Sequence, residues 1–326
     1  MHDNELMGES EIAAQAFLVN LVDHREIQEL AVKPGQEAPK DPRAVSLPTG
    51  LPGDWRPAPA LSVIVPTRNE ADNIRPLLAG LEAALAGIDA EVLIVDDSDD
   101  ATPEIARQAA TDSALPIRVH ARPREQRSGG LGGAVVVGLS EALGPVCAVM
   151  DADLQHPPDL LETLLRASRT GADFVVASRY RDGAAAEGLG GWYRQAVSRL
   201  ATRVAKRVLR PELAGISDPM SGFFLVRRSC LDLPLLHPQG FKLLLELLVH
   251  SPQASVAEVP YTFGVRHSGV SKAGTREGLT YLRRLTKLRA QARRAPRRSR
   301  PQHVPAPSGA GAHRRGQRQA GSGGAK

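Results

Sequence analysis

The residues with the most pointed chemistry are Asp151 and Asp153, spaced i, i+2 in Val149-Met150-Asp151-Ala152-Asp153-Leu154-Gln155-His156-Pro157-Pro158. Two carboxylates this close repel, and one takes up a proton unless a cation lies between them. Oxygen ligands at this spacing suit Mg²⁺ or Mn²⁺, usually with substrate phosphates completing the shell. A plainer reading is a solvated acidic turn with Asp159 as a helix cap. The flanking sequence bears on the choice. Gly144 to Met150 is short and apolar, as a buried strand is. Pro157-Pro158 ends the extended run, and Asp159 to Leu165 starts a helix with an acid in its first turn. The two acids therefore stand where a buried strand hands over to a helix, where open α/β sheets bind ligands.

Three other groups invite chemistry. Asp96-Asp97-Ser98 follows an apolar run and can accept from a base or a ribose hydroxyl, or can form an Asx turn before the next helix. Gly129-Gly130-Leu131-Gly132-Gly133 resembles a phosphate loop but lacks the Lys-Ser/Thr pair. It reads better as glycines that let a helix approach the sheet closely. The basic set is Arg179, Arg181, Arg194, Arg199, Arg266 and Lys272. Any one of these reads as ordinary surface, yet Arg179 stands at a strand end in Ala177-Ser178-Arg179-Tyr180.

The elements that must hold these residues follow from apolar pattern and punctuation. Strands are expected at Leu61–Pro66, Glu91–Val95, Ile117–Ala121, in the run before Asp151, and at Phe174–Ala177. Helices are expected from Ala71 to Leu85, from Ala101 to Ala110, and from the glycine run to Leu143. The alternation predicts an α/β fold: a mostly parallel, Rossmann-like sheet with helices on both faces and right-handed connections. The polar clusters after strands one, two, four and five should then converge on one edge of that sheet.

Composition narrows the class. No run reaches 18 consecutive apolar residues, so no transmembrane helix is expected. The acidic opening Met1-His2-Asp3-Asn4-Glu5 is no secretory signal. Cys147 and Cys230 lie in apolar runs and read as buried thiols in a reducing compartment. The net charge of +5 is unevenly spread: nine of 41 Lys and Arg lie from Gln291 onward with no acid, leaving 32 basic against 36 acidic groups, or −4. Three regions are expected: an extension and linker over 1–60, with a helix at Glu9–Leu30; a folded domain over 61–290; and a disordered basic tail over 291–326. Gly278 to Ala290 reads either as a basic amphipathic helix in a membrane interface or as a helix packed on the domain with a solvated basic face. The tail has no aromatic residues to stack on bases, so its composition argues against a nucleic-acid partner.

At this point a resemblance emerges. Val63-Ile64-Val65-Pro66-Thr67-Arg68-Asn69-Glu70, Val95-Asp96-Asp97-Ser98 and Asp151 to Pro158, in that order and spacing, resemble an inverting GT-A glycosyltransferase of family 2. Ser178-Arg179-Tyr180, Ser221-Gly222-Phe223-Phe224, Gly240-Phe241-Lys242 and Arg266-His267-Ser268-Gly269-Val270-Ser271-Lys272 are similar to dolichol- or polyprenol-phosphate mannosyltransferases. The resemblance covers about residues 60 to 290 and implies the following. Pro66, Arg68, Glu70 and Asp97 line the nucleoside pocket. Asp151, Asp153 and Gln155 hold Mg²⁺ or Mn²⁺ and the donor diphosphate. Arg179 and Arg194 bind the acceptor's lipid phosphate, and Arg266 and Lys272 lie on a loop that closes over the donor. It implies GDP-mannose and a polyprenyl phosphate as substrates and a peripheral position at the cytoplasmic face of a membrane, with a membrane-protein partner as the other route to the lipid. Two departures stand out: the family often has an aromatic residue at Arg68 and a longer turn after Asp97. UDP-glucose as donor and a non-catalytic nucleotide-sugar-binding protein are the other readings.

Overall fold

The computed structural model describes residues 58–181, 184, 192–210, 212–237, 242–264, 275–294 and 303–304. The extension expected over 1–60, its Glu9–Leu30 helix included, lies outside the described residues except for 58–60.

The chain alternates as its apolar pattern requires: β1 (Leu61–Thr67), α1 (Ala71–Ala84), β2 (Ala90–Asp96), α2 (Thr102–Asp112), β3 (Ile117–Ala121), α3 (Gly130–Glu141), β4 (Val146–Val149), α4 (Leu160–Ser168) and β5 (Phe174–Ser178). Then follow α5 (Trp192–Val208), β6 (Phe224–Arg227), α6 (Leu243–His250), β7 (Val256–Pro260), α7 (Thr275–Arg294) and β8 (His303–Val304). The strands form one sheet in the order β3-β2-β1-β4-β6-β5-β7-β8. Only β6 runs against its neighbours; it pairs antiparallel with β4 and with β5, and the other pairs are parallel.

Every residue of β1 and β2 is buried, as unbroken apolar runs covered on both faces should be. Alternate side chains feed two cores. Val63 and Val65 pack with α1, α2 and α4, whereas Ile64 packs with α3, α5, α6 and α7. Helices thus cover both faces. Gly138 shows how closely α3 approaches: a Cβ there would lie 2.4 Å from Ile64 Cγ2 on β1. At Gly133, by contrast, a Cβ would meet the Ser128 carbonyl oxygen at 2.1 Å, so that glycine serves the turn rather than the sheet. Glu91 is a buried acid on β2, held by Ser62 Oγ (2.7 Å), Arg118 Nε (3.0 Å) and the Leu143 N–H (2.7 Å).

Two expectations change at the C-terminal end. Of the two readings of Gly278–Ala290, packing on the domain holds for the described side chains: Leu285 and Leu288 are buried in the second core. Arg284 pairs with Glu246, and Arg289 with Glu212 at 3.2 Å. The boundary drawn at 290 also cuts a helix. α7 runs to Arg294, and His303–Val304 then lies parallel to Val256–Ala257, so the segment beyond 290 is not wholly without structure.

Candidate functional site

Parallel pairing of β1 with β2 and β4, and the antiparallel β6 between β4 and β5, bring the carboxyl ends of β1, β2, β4 and β5 to one edge, as the sequence predicts. After β3 the chain returns to the far side of β1 to lay down β4. The order therefore reverses between β2 and β4, and such a switch point opens a crevice beyond the strand ends. Pro66, Val149, Asp151, Gly132 and Gly222 line that crevice.

The acid turn begins two residues after β4. Asp151 is 40% exposed at the side chain, while Asp153, Gln155 and His156 are buried. The turn is tied internally: Asp153 Oδ1 accepts the Gln155 N–H (3.1 Å), and His156 Nδ1 accepts the Asp151 N–H (3.0 Å). It is also tied to Gly264, where Gln155 Nε2 donates to the carbonyl and the Gly264 N–H donates back to the Gln155 carbonyl, each at 2.9 Å. Directly after Asp153, Leu154 sits at φ 62°, a left-handed conformation that costs an L-residue about 1–2 kcal/mol. Such strain persists where the surroundings over-determine it, and it clusters at functional sites.

His156 stacks on Phe223, with ring centroids 5.2 Å apart, and Tyr261 and Phe263 complete its apolar surround. Burial, with the nearby Arg179 charge second, holds its pKa down to about 3. The ring is therefore neutral, in keeping with an Nδ1 that accepts. Gly222 closes the other side: a Cβ there would lie 2.7 Å from Asp151 Oδ2 and 3.2 Å from His156 Cε1. Ser221-Gly222-Phe223 thus needs its glycine to make room for the carboxylate.

The donors offered here, two carboxylates and an amide, include an exposed carboxylate at a crevice rim, and this chemistry fits a hard cation such as Mg²⁺ or Mn²⁺. Among the described residues no group of three or more His, Cys, Asp and Glu could hold a metal by itself. A cation at this turn would need oxygens from a ligand, as Mg²⁺ sites commonly use substrate phosphates.

The β1–β2 rim differs from expectation. Asp96 accepts from Thr67 Oγ1 (2.6 Å) and from Ser98 Oγ (2.6 Å) and N–H (3.0 Å), which stitches the two strand ends together. Asp97 was expected to face a nucleoside. Instead it is 1% exposed, and its two oxygens receive Arg122 Nε (2.7 Å) and Nη2 (2.6 Å). Arg122 in turn donates to the carbonyls of Gln126 (3.1 Å) and Gly130 (3.0 Å), shaping the loop that enters α3. The correction has a physical reason: a buried guanidinium requires a carboxylate, and Asp97 supplies it. Of the other expected donor residues, Pro66 lines the crevice and Arg68 is exposed. Glu70 is half-buried beside α1, where its Oε2 accepts from Asn73 Nδ2 (2.6 Å).

Beyond β5 the charge reverses. Arg179, Tyr180, Arg181, Arg199, Arg203 and Lys206 line a cavity of about 480 Å³ between the β5 end and α5. Arg179, expected at the acceptor's lipid phosphate, has one edge of its guanidinium bound to Asp218, Nε at 2.7 Å and Nη2 at 2.9 Å. Asp218 is itself fully buried, and its N–H and that of Ser217 donate to the buried Glu258. Arg179 thus lines the cavity as an anchored cation. Its guanidinium carbon lies 5.5 Å from the Phe263 ring centre, and Phe263 packs against His156, so the basic cavity and the acid turn share a wall. Arg194 lies in the first turn of α5, but its side chain is outside the described residues, as are Arg266 and Lys272.

Arg122, Asp218, Glu258, His156 and Gly222 were not singled out from the sequence. The available signals were an acid three residues before Ser221-Gly222 and an arginine one residue past β3.

Comparison with known proteins agrees with this arrangement. Residues 62–232 match the profile of Glycosyl transferase family 2. The chain is similar to the dolichol-phosphate mannosyltransferase of Pyrococcus furiosus, 40% identical over 231 residues, 70% of this chain and 63% of that one. It thus spans less than two thirds of that relative's length. Saccharomyces cerevisiae dolichol-phosphate mannosyltransferase is 36% identical over 239 residues, 70% of this chain and 86% of that one. Among solved structures, glucosyl-3-phosphoglycerate synthase from Mycobacterium tuberculosis, in complex with Mn²⁺, UDP and phosphoglyceric acid, superposes with a TM-score of 0.55 at 22% identity, covering 73% of this chain and 80% of that one. The profile spans the crevice, the acid turn and the Ser221-Gly222-Phe223 loop, and the chain belongs to glycosyltransferase family 2, with the GT-A fold.

Proposed function

We propose that this protein transfers mannose from GDP-mannose to the phosphate of a polyprenyl lipid, with inversion and with Mg²⁺ or Mn²⁺. The observation that carries the reading is the pairing of opposite-sign sites across one aromatic wall: Asp151 and Asp153 on one side, and the cavity of Arg179, Arg181, Arg199, Arg203 and Lys206 on the other. A nucleoside diphosphate with its cation suits the first and an anionic acceptor the second. The dolichol-phosphate mannosyltransferase relatives supply the sugar and lipid class.

The chemistry follows from charge. A phosphate monoester is already an anionic nucleophile near neutral pH, so no strong general base is required. The acceptor oxygen bonds to the sugar's anomeric carbon as the bond to the diphosphate breaks; an α-linked donor gives a β-linked product. The difficulty is to bring two anions together. Arg179, its inner edge fixed by Asp218, would offer the acceptor a preorganised cation, and Arg194 would be a second acceptor-binding cation. Asp151, Asp153 and Gln155 would hold the cation, which when bound offsets charge on the departing diphosphate. Pro66, Arg68 and Glu70 would frame the nucleoside, and Arg266 and Lys272 would close over the donor.

A lipid acceptor requires a membrane surface. Among the described residues no helix is long and apolar enough to cross one. α5 supplies a different contact: Leu200 is 59% exposed beside the exposed Arg199, Arg203 and Arg207. Each such cation near anionic lipid contributes about 1 kcal/mol. A peripheral position at a cytoplasmic membrane face, with or without a membrane-protein partner, is part of the proposal.

The test is a radiolabel transfer assay with Mg²⁺, a short polyprenyl phosphate, and GDP-mannose or UDP-glucose in parallel. Label entering the organic phase from GDP-mannose alone is expected. Label from UDP-glucose alone would keep the chemistry and replace the donor, and metal-dependent nucleotide binding without transfer would leave a binding protein. In the same assay Arg179→Lys should raise the acceptor KM about tenfold and leave the donor KM within twofold, since lysine keeps charge but loses the fork that Asp218 holds.

A further inference from the structure

The structure assigns a positioning role to His156: we infer that it holds Asp151 in place for the cation through its Nδ1 acceptor. The inference rests on the proposed function, because it takes the acid turn to be the cation site. Its observations are geometric. Asp151 is the exposed carboxylate of the turn, and a freely rotating aspartate there would carry a disordered ligand. Three contacts restrict it. His156 Nδ1 accepts the Asp151 N–H at 3.0 Å and so closes the loop from 151 to 156 across the left-handed Leu154. An accepting Nδ1 fixes the tautomer, since a neutral imidazole then carries its proton on Nε2. That nitrogen lies 3.9 Å from Asp151 Oδ2, beyond hydrogen-bond distance, so the ring bonds Asp151 at the backbone and borders its carboxylate. Gly222 bounds the carboxylate from the remaining side.

The ring itself has little freedom. It is 2% exposed, stacked on Phe223, and walled by Tyr261 and Phe263. A histidine kept only to fill an apolar gap would be replaceable by an aromatic ring of similar size. One kept for its acceptor would not. Groups that orient metal ligands from outside the coordination shell typically carry 10–100-fold of metal affinity.

The experiment measures Mn²⁺ binding in the presence of GDP, from the electron paramagnetic resonance signal of free Mn²⁺. The proteins are wild type, Asp153→Ala, His156→Phe, His156→Gln and His156→Asn, each with its melting midpoint. Asparagine puts its amide at the level of Nδ1, glutamine at the level of Nε2. We expect His156→Asn to bind within about threefold of wild type, and His156→Phe and His156→Gln to bind at least about tenfold more weakly. Melting midpoints would not separate Asn from Gln if the role were packing alone; Mn²⁺ affinity separates them. Should His156→Phe fail to fold, the Asn and Gln pair decides. Wild-type affinity in His156→Phe or His156→Gln, or equal losses in His156→Asn and His156→Gln, overturns the inference. Absence of Mn²⁺ binding in the wild type, or full binding by Asp153→Ala, overturns instead the cation site on which it rests.

Discussion

Two acidic pairs follow the two parallel strands that flank β1, and they do opposite things. Asp96-Asp97 after β2 is closed: both side chains are 1% exposed, one saturated by Thr67 and Ser98 and the other by Arg122. After β4 the arrangement differs: Asp153 is buried, whereas the Asp151 side chain is 40% exposed at a crevice. The difference lies in what faces each pair. Arg122 rises from the end of β3 beside β2, whereas Asp151 is bordered by His156 and by Gly222, which brings no side chain. A carboxylate that stays partly exposed can serve a cation, and one bound to a buried guanidinium becomes structure.

The sharpest break between the pairs is in turnover. Asp153→Ala should lower sugar transfer by at least about a thousandfold while its melting midpoint stays near wild type. Retained turnover with added Mn²⁺ would remove Asp153 from the cation site. The reverse signature is expected at Asp97. Asp97→Ala leaves the Arg122 guanidinium buried and unpaired, a loss of about 3–5 kcal/mol, which for a domain of this size lowers the melting midpoint by on the order of 10 °C. A midpoint within about 2 °C of wild type would show that the pair is not the structural device described.

Smaller effects refine the contrast. Asp97→Leu combined with Arg122→Met should recover much of that stability, because replacing both buried charges removes the unpaired one; calorimetry of the single and double variants checks the non-additivity. Gly222→Ala should raise the Mn²⁺ concentration needed for half-maximal transfer by about tenfold, since its Cβ would crowd Asp151 Oδ2. An unchanged metal requirement would mean that the carboxylate has room to move aside.

Much of this molecule is legible from its sequence. Strands β1 to β5 and the helices between them follow from short apolar runs and their polar punctuation, with ends that shift by a few residues. β6 and β7 escape that reading: Phe224–Arg227 is only four residues, and it enters the sheet antiparallel between strands distant in sequence. The acid turn was legible because both its carboxylates and the elements that carry them are local. The roles of Arg179 and Asp97 were less so, because their partners Asp218 and Arg122 come from elsewhere in the chain, 39 and 25 residues away.

The sequence by itself determined the alternation of strands and helices, the edge where polar residues gather, and the carboxylate spacing that suits a hard cation. These depend on residue type and short-range periodicity, which a linear pattern carries. Only the tertiary structure decided which acids are closed and which open, that Arg179 is an anchored cation, and that His156 and Gly222 frame Asp151. Each of those depends on which side chains the fold brings within about 3–4 Å of one another, and a charged group changes its role entirely according to whether a counter-charge lies inside that distance.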